Sequence, residues 1–566
     1  MTVPSHRPWL RHYDTQVPTK LDLEPVTALD RFRRAVAQFG DRPAITLMNR
    51  TLTYAEVAEH VGRLATAFHE MGVTPGDRVA ILSPNLPQFE IAYFAAQSVG
   101  AIPVPTNPLY TAREIEHQWN DAHCTVAVVM DYAYVQKVRA IRDKLPVRHY
   151  IVTSIPDYLR FPLNLLAPLK LKKQQPPLIA PIPNDAHVHA FREIVRRTPN
   201  TPPAHSATMD DVAVLLYTGG TTGVSKGAAL THANVSANTQ QIVHWFWMAE
   251  SGREVSLGAL PLFHSFGHTV VMHMSIALGA HQVLIPNPRD IPAIIKAVVK
   301  HRISLFAAVP NHYRAINQFA ASHRVDLSSI KACNSGSAPL PVDTLETFER
   351  LTGAVISEGF GLTETSPVTH CNPLHTLRKP GSIGVPLPGT DQRIMDPETG
   401  TRELATGEVG ELVLRGPQIM RGYWQKPDAT ADMVRDGWLY TGDLARIDAD
   451  GFCFIEGRKK DMILCSGYNV YPDEIDRVLA EHPAVLEAAT IGVPDISRGE
   501  TVKSFVVLRP GMSASADALM EHCRTALAPY KVPRALAFLP ELPKSSVLKI
   551  LRRELRDREI ASRPQP

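Results

Sequence analysis

Along residues 53–72, TYAEVAEHVGRLATAFHEMG, apolar positions recur at helical spacing and the run stops at Gly72. The pattern predicts an amphipathic helix closed by a glycine, the residue that enters a left-handed turn without steric cost. The next piece, DRVAILSPN (77–85), centres on a short apolar run and predicts a buried strand followed by a turn. Helix and strand patterns alternate in this way to about residue 310, as in RISLFAAVPN (302–311). Such alternation favours layered α/β architecture with largely parallel sheets. Ten prolines between 156 and 203 interrupt it, and no internal repeat is visible. After about residue 385 short β-like pieces and turns take over, as in GELVLRG (410–416) and GFCFIEG (451–457). A helical pattern returns in YPDEIDRVLAEHPAV (471–485), with Ile475, Val478 and Leu479 on one face, ahead of a strand pattern in KSFVVL (503–508). The expected fold is therefore α/β: a large N-terminal domain of layered sheets with a β-rich subdomain, then a small C-terminal α+β domain. The charged run Arg458–Asp461 between turn signals is the expected boundary, dividing the chain into 1–459 and 460–566.

Two stretches raise the question of a membrane. Residues 255–288 contain no Asp, Glu, Lys or Arg. They do contain His264, His268, His273, His281, Pro261, Pro286 and Pro288, so no unbroken run of about 18 apolar residues exists. The stretch reads as a buried strand, a loop, and a helix near 267–280 that is apolar on nearly every side. The second stretch, YLRFPLNLLAPLKLKK (158–173), mixes large apolar residues with Lys170, Lys172 and Lys173. It has two readings: a surface excursion packed on its own domain, or a patch for an anionic lipid surface.

Composition narrows the field further. A chain of 566 residues with 44% hydrophobic and 20% charged residues can bury a core in each of three or four domain-sized units. The net charge of +3 demands no nucleic-acid partner. The 47 prolines, about 8% against a usual ~5%, point to rigid connections rather than a long helical array. Six cysteines without a CxxC spacing argue against a disulfide framework or a structural zinc site. The N-terminus, MTVPSHRPWLRHYD, places prolines and charges where an export signal needs an apolar run. A cytoplasmic protein is expected, with peripheral contact at the inner face of the membrane if 158–173 is a lipid patch.

Five segments carry candidate chemistry. In YTGGTTGVSKG (217–227) four glycines, three threonines and Lys226 can surround phosphate oxygens with backbone N–H groups, hydroxyls and a cation. The loop follows the apolar run VAVLL and precedes residues that could open a helix. It lacks the GxxxxGK[ST] spacing of a Walker A loop, which disfavours a P-loop kinase or ATPase. EGFGLTETSP (358–367) gathers an aromatic residue, glycines, threonines and an acid, suited to base stacking, phosphate hydrogen bonding and a magnesium ligand. YTGDL (440–444) offers Asp443 to ribose hydroxyls. GRKKDMILCSGYNVYPDEID (457–476) lies at the expected boundary, and PKSSVLKILRREL (543–555) reads as a basic helix with Lys549 at its head.

Together, in this order, these segments resemble the adenylate-forming superfamily, which includes acyl-CoA synthetases, peptide-synthetase adenylation domains and beetle luciferases. NPLYTAREIEHQWNDA (107–122), NPRDIP (287–292), GYWQKPDAT (422–430) and RKKDMILCSGYNVYPDEI (458–475) are similar to bacterial long-chain fatty-acid–CoA ligases in particular. The resemblance implies that Thr218, Gly219, Gly220, Thr221, Thr222, Gly223, Ser225 and Lys226 hold the β- and γ-phosphates of ATP. It implies that Phe360, between Gly359 and Gly361, stacks on adenine, with Gly336, Ser337 and Ala338 lining the base. Thr363 would contact the α-phosphate, Glu364 and Thr218 would bind Mg2+, and Asp443 with Arg458 would grip the ribose. His264 would sit between acyl carboxylate and nucleotide, and the uncharged helix 267–280 would be either a wall of the acyl channel or plain core.

The implied chemistry is attack of an ionised carboxylate on the α-phosphorus of ATP, giving acyl-AMP and pyrophosphate, with charge neutralised by magnesium and Lys549. CoA then displaces AMP after the small, mobile domain rotates about Lys460, bringing the Cys465–Gly467 loop, with Ser466 and Gly467, to the pantetheine tunnel. Leu548 stands where the family has glycine before its lysine, an expected strain of about 1–2 kcal/mol if that position is left-handed. Medium- to long-chain fatty acids are the expected substrates. The competing readings are a ligase for aryl or short branched acids, and a non-catalytic acyl- or nucleotide-binding protein. A homodimer is compatible with all three.

Overall fold

The computed structural model describes residues 7–218, 225–465, 468–495, 499–545 and 549–561. The first helix predicted from periodicity runs Tyr54–Glu70, and its start is fixed by a reciprocal cap. The Glu56 N–H donates to Thr53 Oγ1 at 3.2 Å, and the Thr53 N–H donates to Glu56 Oε2 at 2.8 Å. Gly72, just past its end, has φ +78°, which explains the glycine stop.

The large domain is built on two sheets with mostly parallel strands. One has five parallel strands in the order Ile102–Thr106, Arg78–Leu82, Cys124–Met130, His149–Thr153, Val188–Ala190. Its second strand, Arg78–Leu82, flanked by Ile102–Thr106 and the central Cys124–Met130, is buried on both faces, as expected where helices cover a parallel sheet on either side. The other has nine strands, with Val255–Gly258, Leu305–Ala308, Ala332–Ser335 and Val355–Gly361 parallel at its centre. The proline-rich interruption is shorter than the sequence suggested. Val188–Ala190 joins the first sheet as its edge strand and Phe191–Arg197 forms a helix, so the alternation resumes inside it. What remains outside is the helix Leu163–Lys172, none of whose residues is buried.

The β-rich subdomain is a five-stranded sheet made of Asp391–Met395, Gly410–Arg415, Val434–Arg435, Trp438–Ile447 and Cys453–Arg458. The next strand, Ile463–Cys465, belongs to a separate sheet with Tyr468–Val470, Val485–Asp495, Gly499–Leu508 and Ala535–Phe538. That C-terminal sheet has apolar residues on both faces. Ile475, Leu479, Leu519 and Cys523 pack on one, and Phe505, Leu542 and Leu555 form a core on the other. All six cysteines are buried and free. Among the described residues no helix is long and apolar enough to cross a membrane.

Candidate active site

The phosphate loop joins two strands of a hairpin. Val212–Tyr217 leads into it and Gly227–Thr231 leads out, antiparallel, before the helix His232–Trp245 begins behind a Thr231–Asn234 cap. The sequence pointed to a helix directly after the loop; instead GAALT, free of capping residues until Thr231, pairs as a strand. The neck is closed by the Thr218 N–H donating to the Lys226 carbonyl at 3.0 Å and by Ser225 Oγ donating to the Thr218 carbonyl. Gly227 is required there, because a Cβ would lie 2.9 Å from the Tyr217 ring. Tyr217 in turn donates its hydroxyl to Asp121 at 2.8 Å, and Lys426 holds the other oxygen of Asp121 at 2.7 Å. Gly219, Gly220, Thr221, Thr222 and Gly223 lie outside the described residues.

The next wall lies at the carboxyl ends of parallel strands, where open α/β sheets bind their ligands. Ala332–Ser335 runs into Gly336, Ser337 and Ala338, with Ser337 at φ +71°. Beside it Val355–Gly361 carries Gly359, Phe360 and Gly361. Added Cβ atoms would stand 3.3 Å from the Phe266 ring at Gly336 and 2.8 Å from Cys371 Sγ at Gly359. At Gly361 one would fall 2.0 Å from the Pro367 carbonyl and at Gly359 one would also meet the His370 carbonyl at 2.8 Å, so these two glycines permit close approach of backbones. The buried Glu358 carboxyl accepts from the Leu340 N–H at 2.9 Å and is pushed up to about 8 by burial. It thereby ties the turn after Ala338 to the strand that carries Phe360. Phe360 itself is half-buried and meets the His370 ring edge-on at 6.3 Å.

Thr363 opens a single 3-10 turn, Thr363–Thr365, in which Glu364 is buried. The Glu364 carbonyl accepts from the Met420 N–H at 2.8 Å, and its Oε1 accepts the Tyr423 hydroxyl at 2.6 Å.

Asp443 and Arg458 face each other across adjacent strands, with Nε to Oδ1 at 3.5 Å. Burial raises the Asp443 carboxyl, while Arg458 and then Lys549 pull it back down. Lys549 precedes the last helix rather than heading it. The helix starts at Arg552, and the Lys549 carbonyl accepts the Ser545 N–H at 2.8 Å. Burial brings the Lys549 ammonium down to about 8, Arg458 adds to this, and Asp443 and Asp473 oppose it. His264 is held down at about 4, first by burial and then by Lys549. Its Nδ1 accepts the Phe266 N–H at 3.3 Å, as a neutral ring does.

Thus Lys549 of the small domain, Asp443 and Arg458 of the β-rich sheet, and His264 of the large domain share one electrostatic neighbourhood. Behind His264 the backbone forms a π-helical turn, Gly267–His273, continuing as Met274–Leu278. Gly267–Ile276 is buried throughout, and Thr269 donates to the Ser366 carbonyl at 2.7 Å, next to the Glu364 turn. Lys460 lies at the surface, and its ammonium is lowered first by partial desolvation and then by Arg458. Ser466, Gly467 and Leu548 lie outside the described residues.

Residues 32–424 match the family model described as AMP-binding enzyme, and residues 474–549 match AMP-binding enzyme C-terminal domain. The chain belongs to the AMP-binding enzyme family. It is 42% identical over 563 residues to a long-chain-fatty-acid–CoA ligase of Bacillus subtilis (strain 168), covering 98% of each chain. It is 39% identical over 560 residues to one of Escherichia coli O157:H7, covering 97% of this chain and 98% of that one. Among solved structures, ATP-bound MatB from Rhodopseudomonas palustris superposes with a TM-score of 0.81 at 30% identity, over 94% of this chain and 99% of that one.

In this AMP-binding enzyme four side chains, Tyr423, Arg552, Asp473 and Asp476, stand at the site that sequence reasoning left without a role. Tyr423 lies within GYWQKPDAT, which served only as a family marker. Arg552 pairs with Asp473 and with Asp476 Oδ2 at 2.6 Å, beside Lys549. The Asp473–Asp476 spacing puts both carboxylates on one face of the helix Pro472–Glu481. That spacing was the readable signal for a nearby cation.

Proposed function

We propose that the protein is an ATP-dependent fatty-acid–CoA ligase that works through acyl-AMP and releases AMP and pyrophosphate, with medium- and long-chain acids preferred. The observation that carries this reading is the approach of Lys549 to Asp443, Arg458 and His264. A cation there faces the place where a carboxylate would meet a nucleotide held by Asp443 and Arg458. The carboxylate is already ionised near pH 7 and needs no general base. It needs charge neutralisation and alignment, which Lys549 supplies from the small domain and Lys226 from the phosphate loop. His264, neutral at that pH, adds a polar wall without adding charge. The relatives at 38–42% identity are named for long-chain fatty acids and one named for an aryl acid, a feruloyl-CoA synthase, stands at 35%, which supports fatty acids over aryl acids; the uncharged wall Gly267–Leu278 suits an alkyl chain.

The donor set also fits magnesium. Glu364 and Thr218 offer hard oxygen ligands, and phosphate oxygens and water would complete six positions. Bound there, the ion would neutralise phosphate charge as the carboxylate attacks. In this reading Thr218, Ser225, Lys226 and the loop between them hold the β- and γ-phosphates, Thr363 meets the α-phosphate, and Phe360 with Gly336–Ala338 encloses adenine. The division into 1–459 and 460–566, with Lys460 as hinge and Ser466 and Gly467 at the CoA tunnel, completes the reading. A pyrophosphate-release assay over fatty, aryl and short branched acids tests it, followed by identification of the acyl-CoA product. Turnover of C8–C18 acids with AMP formed is expected; ADP formation, or activity confined to aryl acids, rejects the reading.

Peripheral contact with anionic lipid is a second element of the proposal. It is supported by the exposure of Phe161 (76%), Leu165 (63%), Leu166 (53%) and Leu169 (63%) beside Lys170, Lys172 and Lys173. No Asp or Glu occurs from 158 to 184 to oppose an anionic surface.

A further inference from the structure

Tyr423 touches both charged groups that the reaction would need on the phosphate side. Its hydroxyl donates to Glu364 Oε1 at 2.6 Å, and Lys226 Nζ stands 4.7 Å from the centroid of its ring. Its backbone is pinned on both sides. Gly422–Tyr423 pairs with Ala228 and Ala229 of the strand leaving the phosphate loop, and the Trp424 N–H donates to the Gly227 carbonyl at 2.8 Å. The Tyr423 N–H itself donates to Thr430 Oγ1 at 2.9 Å. The ring is therefore anchored by contacts within this chain.

We propose that Tyr423 is a positioning residue that presents Lys226 to the phosphates and Glu364 to the metal, an inference that rests on the magnesium reading of Glu364. Two properties of the phenol do this separately. A carboxylate oxygen that accepts a fixed O–H cannot turn freely, so Oε1 is committed and the plane of the carboxylate is set. The negative face of the ring attracts the Lys226 ammonium without neutralising it, so the full charge stays available to phosphate. A carboxylate in the ring's place would form an ion pair that ATP would have to break.

Because hydroxyl and ring act on different partners, two variants separate them. ATP binding is measured by calorimetry on the full-length protein, once in EDTA and once with magnesium, and the ratio of the two dissociation constants is the magnesium gain. Tyr423→Phe keeps the ring and is expected to leave binding in EDTA within about twofold of the parent. It should cut the magnesium gain roughly tenfold, the lower end for losing a hydrogen-bond partner of a metal ligand. Tyr423→Leu is expected to weaken binding in EDTA as well, by about threefold to tenfold. Glu364→Gln should abolish the gain, and adding Tyr423→Phe to it should change nothing further.

A full magnesium gain in Tyr423→Phe, with the gain lost in Glu364→Gln, overturns the proposal and leaves the magnesium reading standing. A gain retained in Glu364→Gln removes the magnesium reading itself. Loss of EDTA binding in Tyr423→Phe as large as in Tyr423→Leu overturns the proposal as mere packing. Should Tyr423→Leu fail to fold, Tyr423→Phe with the Glu364 pair decides alone.

Discussion

A lysine taken out of water beside an arginine holds its proton less tightly, and Lys549 at about 8 is close enough to neutrality for this to be measurable. The pKa is lowered, so the charged form dominates below it and is lost as pH rises through it. At pH 7 about nine in ten molecules carry the charge, and at pH 9 about one in ten. Adenylation measured as kcat/KM should therefore be flat near pH 7 and fall through about 8. Lys549→Arg should lose that limb because arginine stays charged across the range. A profile for the parent that is flat to pH 10 would detach Lys549 from the chemistry. Lys549→Ala should cut adenylation roughly 10²–10³-fold, while CoA attack on supplied acyl-AMP stays near the parent rate. Equal loss in both half-reactions would sink the idea that the lysine serves one step only. At this scale the sequence revealed which residues bear charge, since Lys549, Asp443, Arg458 and Glu364 stand in recognisable motifs. It did not reveal Tyr423, whose importance lies in the groups it meets from 59 and 197 positions away (364 and 226 against 423).

At the scale of single elements, local pattern succeeded where one segment decides its own structure. Thr53 and Glu56 cap their helix within three residues, and Gly72 ends it. Pattern failed at GAALT, which becomes a strand because Val212–Tyr217 and Gly422–Tyr423 are there to pair with it. Neither partner is visible from within five residues. The helix Leu163–Lys172 shows the same limit from the other side. Leu163, Ala167 and Leu171 pack against the body, and Leu165, Leu166 and Leu169 are left in water. Replacing Phe161, Leu165, Leu166 and Leu169 together by serine should leave the melting temperature within a few degrees, because none of them fills the core. The parent is expected to float with anionic vesicles at low salt and to release at high salt, and the variant to stay unbound. Parent protein that ignores anionic vesicles at low salt would leave this helix as a surface excursion.

Across the whole molecule, the position of Lys549 depends on how the small domain is held against the large one. Arg314, on the helix Pro310–Ser322 of the large domain, donates to Glu487 Oε1 at 2.9 Å and to the Leu486 carbonyl at 3.2 Å. Glu487 also holds Lys544 at 2.7 Å, and Lys544 bridges to Ile550, the neighbour of Lys549. One carboxylate thus fastens the large domain to the segment that flanks Lys549. Arg314 and Glu487 are 173 residues apart, so the charged run at 458–461 could suggest two bodies while saying nothing of how they meet. These side chains are mostly shielded from solvent, at 25%, 10% and 13% exposure for Arg314, Glu487 and Lys544, so the contact should be worth more than a surface pair of about 0.2–1 kcal/mol. Arg314→Ala removes this tie between the domains, while Glu487 stays paired with Lys544 and the Glu456–Arg477 and Asp343–Arg509 pairs remain. If the small domain rotates between steps, the arrangement with Lys549 in the site becomes less populated and adenylation slows about threefold to tenfold. Thioester formation from supplied acyl-AMP should hold its rate or rise, because its own arrangement no longer competes with this contact. Arg314→Lys, which keeps the charge, should recover part of the loss. Equal slowing of both half-reactions in Arg314→Ala would mean that the contact serves folding alone and does not select between arrangements.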